Sequence, residues 1–266
     1  MVKVPTVFCG RRYKSFCLML TVLLLTFGPP MVASSASEPR VLPFGPGERL
    51  VYQISWGNIP AGYAVLEVLP QTTIGDVQSL HFSLSVNTNK FVDFFYKVRD
   101  RIESFTDLSL TKSLFYKKKQ QEGHSRRQEV VQLDHQKLTA IYANYGKTRD
   151  AISIMPGTVD PLAALFFVLS QPLTPNMAIT RPITDGKENA LGRALVVRRE
   201  TIDINGKFYD TYLVEPDLKK VKGVFEKSND SKIQLWITAD DKQTLVKIKS
   251  KVFVGSFSGT LVEEGD

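Results

Sequence analysis

The chain has 266 residues, 43% apolar and 23% charged, with a formal charge of +7. That composition is ordinary for a globular protein and excludes a disordered tail, a collagen-like chain and a coiled coil. Two cysteines, Cys9 and Cys17, exclude a disulfide framework and a Cys-rich zinc site.

The first 37 residues read as a secretory signal peptide. Lys3, Arg11, Arg12 and Lys14 form a positive start without an acid. Phe16 to Phe27 is an apolar run of 12 residues, shorter than the roughly 20 that span a bilayer as a helix. Gly28-Pro29-Pro30 ends it, and Ala33-Ser34-Ser35-Ala36-Ser37 offers small residues for cleavage. Cleavage removes four cations and no acid, which lowers the net charge from +7 to +3. It also removes both cysteines and leaves 229 residues, 38–266, as one β-rich periplasmic domain.

Within that domain, residues 38–47 are a Pro/Gly entry. Glu48 to Trp56 alternates with Leu50, Tyr52, Ile54 and Trp56 on one face, and Ala61 to Leu69 returns after Gly57-Asn58 as a hairpin partner. Leu80 to Val86 alternates again. Phe94 to Phe105 reads as one long strand, with Phe94, Tyr96, Val98 and Ile102 facing one way and Lys97, Arg99, Arg101 and Glu103 the other. Leu114–Lys119 and Gln128–Leu133 predict a hairpin, and Asp134-His135-Gln136 turns the chain into Leu138–Tyr142.

Asp160 to Leu169 breaks the β pattern. Asp at the N-cap, Pro at the first helical position and eight apolar residues in a row predict a short helix buried on most sides. Asn205-Gly206 joins Leu195–Ile204 to Phe208–Val214, a strong hairpin signal. Ser231–Thr238 pairs through the turn 239–242 with Thr244–Val254, and a last strand runs near Phe257 to Val262. The fold class expected is mainly β: a single antiparallel domain, an incomplete barrel or strongly curved sheet, with one short buried helix near 160–169.

Catalytic signals are sparse. His81, His124 and His135 lack metal-ligand spacing, and Gly255-Ser256-Phe257-Ser258-Gly259 has Phe where a nucleophile elbow needs Ser. Gly45-Pro46-Gly47 is not a phosphate loop. Glu48, Glu67, Asp93, Asp100 and Glu103 are acids whose pairing spacing alone does not fix. The reading is therefore no catalytic, metal or cofactor residues, and a protein that is not an enzyme. The residues expected to line an apolar ligand pocket are Trp56, Phe94, Tyr96, Leu162, Leu165, Phe166 and Trp236. Lys97, Arg99 and Arg101, with Lys247, Lys249 and Lys251, are expected on a basic face, and Lys117-Lys118-Lys119 and Arg126-Arg127 on similar stripes. In an envelope compartment such a face meets lipid head groups, lipopolysaccharide or wall polymers rather than nucleic acid.

Three stretches carry a family resemblance: Pro43-Phe44-Gly45-Pro46-Gly47-Glu48-Arg49-Leu50-Val51-Tyr52 with Ile54-Ser55-Trp56-Gly57 and Ala61-Gly62; Asp160-Pro161-Leu162-Ala163-Ala164-Leu165; and Trp236-Ile237-Thr238-Ala239-Asp240-Asp241 with Gly255-Ser256. In this order they resemble the bacterial secreted domain-of-unknown-function family 3108. The resemblance implies an exported β-rich protein and no established activity. A looser similarity to LolA/LolB-type lipoprotein carriers implies an incomplete antiparallel barrel with a helical cover and an apolar cavity. The function expected is a non-enzymatic binding or carrier protein of the cell envelope holding an acyl chain or lipidated partner. The alternative is an envelope scaffold that binds wall polymer or protein through the basic sheet face.

Overall fold

The computed structural model describes residues 41–217, 232–252 and 255–265. The predicted signal peptide and the last two residues of the predicted strand 244–254 lie outside them. The strands are β1 (Arg49–Trp56), β2 (Ile59–Ile74), β3 (Val77–Thr88), β4 (Arg99–Asp107), β5 (Ser113–Glu122), β6 (Ser125–Asp134), β7 (Thr139–Asn144), β8 (Lys147–Thr148), β9 (Ile152–Ser153), β10 (Ala178–Thr184), β11 (Asn189–Ile204), β12 (Lys207–Asp217), β13 (Lys232–Thr238), β14 (Leu245–Val252) and β15 (Gly255–Gly265). Two helices interrupt them, α1 (Lys90–Asp93) and α2 (Pro161–Leu169).

All these strands join one curved antiparallel sheet. Its order is β10-β11-β12-β13-β14-β15-β1-β2-β3-β4-β5-β6-β7-β8, with β9 paired to β7. The first and last strands meet inside it, because β15 pairs with β1 from Arg49↔Gly265 to Trp56↔Phe257. Most connections are hairpins, as the alternating sequence requires. Asn205 and Gly206 both have positive φ, 53° and 84°, the backbone of the tight turn that Asn-Gly favours.

The hydrogen-bonded ladder does not close on itself. Residues 158–159 instead bridge its two arms. Ser113 N–H of β5 donates to Thr158 O, while Val159 N–H donates to Pro182 O and its carbonyl accepts from Thr184 N–H on β10. The turn between β10 and β11 lies against β6: Gly186 has φ 83°, and a Cβ there would sit 2.7 Å from a methyl of Val131. Strands β6 to β9 extend beyond this bridge, and with Tyr116 of β5 and Ile154 after β9 they form a second small core that includes Val131, Leu133, Ala140 and Tyr142.

One sequence expectation fails at β4. The strand starts at Arg99, not Phe94, and Phe94 and Tyr96 lie on no sheet face. Asn89 caps a short helix instead: its side chain accepts from Val92 N–H at 2.9 Å, and its own amide group donates to Pro60 O at 2.7 Å. These local bonds outcompete the strand that alternation predicts. From Arg99 onward the predicted split holds, with Ile102 turned inward and Arg101 exposed.

Candidate functional site

Inward-facing residues of neighbouring strands align in rows. One row, Leu50, Leu66, Leu84 and Ile102, crosses β1 to β4 and is wholly apolar. It continues into Lys118 and Glu129 on β5 and β6. Lys118 therefore does not share a basic surface stripe with Lys117 and Lys119; period-two alternation turns it inward.

Helix α2 sits over the concave face, packed against β3, β4 and β10. Asp160 fixes its start. The Asp160 side chain accepts from Leu162 N–H and Ala163 N–H at 2.9 and 3.0 Å, and from the hydroxyls of Ser104 and Ser113 at 2.5 and 2.6 Å. Burial pushes this carboxyl above its ordinary pKa, against the pull of those four donors. Phe166 turns into the main core, stacked on Phe82 at 3.8 Å and edge-on to Phe44 at 5.0 Å.

Between α2 and the sheet lies an apolar cavity of about 360 Å³. That is within the roughly 300–1,000 Å³ of small-ligand sites. Leu162, Ala164, Leu165 and Phe167 line it from the helix. Leu84 and Ile102 line it from one arm of the sheet, and Ile179, Ile183, Ile233 and Ile248 from the other. Gly192 also lines it, and a Cβ there would meet the Ile183 side chain at 2.4 Å.

Arg181 stands out in this wall. It lies on β10 between Ile179 and Ile183, all three facing the cavity. Its guanidinium lies 4.4 Å over the Phe167 ring, and Nη2 donates to Thr111 O. Its Nε is buried with no hydrogen-bond partner. Burial lowers the pKa of Arg181 while the charge of Asp107 raises it; a guanidinium stays protonated regardless.

Of the residues predicted for the pocket, Leu162 and Leu165 line the cavity and Phe166 packs behind the helix. Trp236 lies on the opposite face of β13 from Ile233 and Leu235. Its indole N–H donates to Glu200 at 2.9 Å, and Lys247 sits 5.4 Å over its ring. Trp56 is half exposed at the end of β1, stacked near Phe257. Phe94 and Tyr96 are exposed on the loop between β3 and β4. Trp236 lies outside because periodicity marks a face without saying which is concave, Trp56 because β1 ends there, and Phe94 and Tyr96 because they belong to a loop and to no sheet face.

The predicted basic face divides into two. Arg99 and Arg101 lie at the start of β4 with Lys97 in the loop before it, and Lys247, Lys249 and Lys251 on β14, with four strands between β4 and β14. Arg99 is tied to Asp93, and Arg101 lies 3.5 Å from Glu103. Asp100 and Glu122 form a close carboxyl pair bridged by Gln120 Nε2, outside the cavity lining. Burial and then the neighbouring Asp100 raise the Glu122 pKa. Among the described residues, no cluster of His, Cys, Asp and Glu has metal-binding geometry, and no helix is long and apolar enough to cross a membrane.

The family described as protein of unknown function, DUF3108, matches residues 51–262. The chain belongs to that family. The span matched includes every lining residue of the DUF3108 cavity, from Leu84 to Ile248. No curated protein matches the sequence. Among solved structures, a β-barrel-like protein of the DUF1849 family from Brucella abortus aligns with a TM-score of 0.52 at 9% identity, covering 82% of this chain and 97% of its own. That likeness is one of fold. A candidate lipoprotein from Parabacteroides distasonis aligns at 12% identity over 84% of this chain and 97% of its own, with a TM-score of 0.32, too low to signal a shared fold.

Proposed function

We propose that this DUF3108 protein is a non-enzymatic binding or carrier protein of the bacterial cell envelope, exported to the periplasm by its N-terminal signal, and that it holds an acyl chain between α2 and the concave sheet. The observation that carries the reading is the cavity of about 360 Å³, walled by Leu, Ile and Phe side chains from the helix and both arms of the sheet. A mostly apolar space matches a hydrocarbon chain, which brings no hydrogen-bonding demand of its own. Arg181 in the wall supplies one cation for an acidic head group. The sequence order of the apolar start, the small-residue site and the alternating strands supports the envelope location.

Titration of the purified protein with a fluorescent long-chain fatty acid tests the reading. Saturable binding that is lost in Ala164→Phe, which fills the space beside Leu165, is the expected result. No binding by the unaltered protein, or unchanged binding by the filled variant, overturns it.

A second reading, a scaffold for wall polymer or an envelope protein, rests on the outward row Lys247, Lys249 and Lys251, of which Lys249 and Lys251 are exposed. Charge reversal of that row separates the two: it abolishes partner capture by a scaffold and leaves fatty-acid binding untouched.

A further inference from the structure

The stretch Lys90-Phe91-Val92-Asp93-Phe94-Phe95-Tyr96-Lys97 places four aromatic rings within six residues, between two lysines. In a globular chain such a run normally enters the core. Here it is held outside: Phe91, Phe94, Phe95 and Tyr96 are 64%, 85%, 71% and 52% exposed. The rings touch one another, with Phe94 and Phe91 at 5.1 and 5.7 Å from Phe95, but those contacts leave most of their surface in water.

The loop that carries them is braced. Asn89 N–H donates to Ala61 O at 2.9 Å, and the Asn89 side chain bonds both Val92 N–H and Pro60 O. Asp93 is held by the Arg99 guanidinium and the Thr88 hydroxyl. The Tyr96 ring lies against Gly123 in the turn between β5 and β6, where a Cβ would come within 2.8 Å of it. The backbone is thus pinned while the rings project. At the same end of the sheet, Trp56 and Ile59 flank the turn between β1 and β2 and are half exposed.

The exposed charges around the rings are cationic; the acids near Tyr96, Asp100 and Glu122, are half-buried and bridged by Gln120. Asp93, the acid in the run, is neutralised by Arg99. Lys90 and Lys97 are exposed, as are Arg126 and Arg127 at the start of β6. Aromatic rings that combine apolar bulk with lysine ammonium groups beside them are the composition of a membrane-interface anchor: rings enter the head-group region and cations meet anionic lipid.

We propose that the loop between β3 and β4 docks this end of the protein on an anionic lipid surface, with Phe91, Phe94, Phe95 and Tyr96 inserted at the interface and Lys90 and Lys97 against the head groups. The cavity lining reaches the same end of the sheet through Asp217, the last residue of β12, and Ile233, near the start of β13. Docking there sets a carrier's cavity beside the source of its ligand. The anchor does not depend on that ligand: Ala164→Phe leaves vesicle docking unchanged even if it abolishes fatty-acid binding.

Co-sedimentation of the purified protein with phosphatidylcholine vesicles, with and without phosphatidylglycerol, is the test. The intact protein partitions onto the phosphatidylglycerol vesicles. Phe94→Ser with Phe95→Ser lowers that partition by about tenfold or more, since affinity scales with inserted apolar area. Lys90→Glu with Lys97→Glu lowers it on phosphatidylglycerol vesicles specifically. Both double variants alter exposed side chains, and a thermal melt checks that they fold. The proposal fails if the intact protein ignores phosphatidylglycerol vesicles, or if the Phe94/Phe95 variant binds them equally well. It also fails if the rings instead hold a second copy of the chain, seen as a dimer that disappears in that variant without vesicle binding.

Discussion

Ser113 and Asp160 satisfy each other twice: the serine hydroxyl donates to the Asp160 carboxylate at 2.6 Å and accepts the Asp160 backbone N–H at 2.8 Å. The pair joins the start of β5 to the start of α2, so the strand that meets the 158–159 bridge also sets the position of the helix over the cavity. Ser104 of β4 completes the cage.

Asp160→Ala removes the helix cap and leaves two buried hydroxyls and two helix N–H groups without their acceptor. The expected loss is about 2–4 kcal/mol in chemical denaturation. Asp160→Asn, which keeps an oxygen for the cap, should lose less. A loss from Asp160→Ala below about 0.5 kcal/mol would show that the cage is not what positions the helix.

The buried charges on β5 and β6 set an acid limit. Burial alone raises the Glu129 carboxyl, but hydrogen bonds from Lys187 and Tyr142, and the charge of Lys118, hold it below its ordinary value. Lys187 is 2.9 Å and Lys118 3.7 Å from it. A depressed carboxylate contributes stability that is present above its unfolded pKa and lost as pH falls through its folded pKa. Stability should therefore drop below about pH 4.5. Glu129→Gln should flatten that part of the profile. It should also cost about 3 kcal/mol near neutrality, because Lys118 is left buried and unpaired. Asp160 acts with the opposite sign. Its raised pKa gives a contribution that is full below the unfolded value and lost as pH rises through the folded one. A Glu129→Gln profile as steep as that of the unaltered protein would assign the acid limit elsewhere.

The elements governed by local chemistry are legible in the sequence. Asn205-Gly206 dictates its turn, Asp160-Pro161 its helix start, and alternation locates β1, β3, β5 and β14. Three features are not legible, each for a stated reason. Phe94, Tyr96 and Val98 alternate like a strand, and only the tertiary bonds of Asn89 to Pro60 and Ala61 reveal a loop. Lys118 lies within a run of three lysines whose surface reading is overturned by an acid on the next strand. Arg181 interrupts Ile179 and Ile183 as a solvated residue would on an edge strand, yet it points inward because 158–159 and α2 cover that edge. In the site, the helix side was readable and the sheet side was not, since curvature decides which face of each strand is concave.

Gly192 is a specific probe of cavity size. A Cβ there meets the far end of the Ile183 side chain at 2.4 Å, with the Arg181 carbonyl at 3.3 Å. The cavity gives Ile183 somewhere to go. Gly192→Ala should therefore fold with a loss within about 1 kcal/mol and bind a fluorescent fatty acid more weakly. A larger loss of stability with unchanged binding would place the displaced methyl in the packed core instead of the cavity.

Arg181→Met tests whether the cation in the cavity wall serves stability or ligand. The side chain is half-buried, its Nε has no acceptor, and among the described residues no acid forms an ion pair with it. Its gains are one hydrogen bond to Thr111 O and the Phe167 face. Replacing this half-buried charge, which feels only the distant charge of Asp107, with an apolar side chain of similar length removes a desolvation cost that those gains only partly offset. The variant should be as stable as the unaltered protein or more so, measured by denaturant midpoint. If Arg181 meets an acidic head group, the same variant should weaken binding of a fatty acid and leave binding of its methyl ester unchanged. A loss of more than about 2 kcal/mol would instead make Arg181 a structural tie between β10 and the turn after β4.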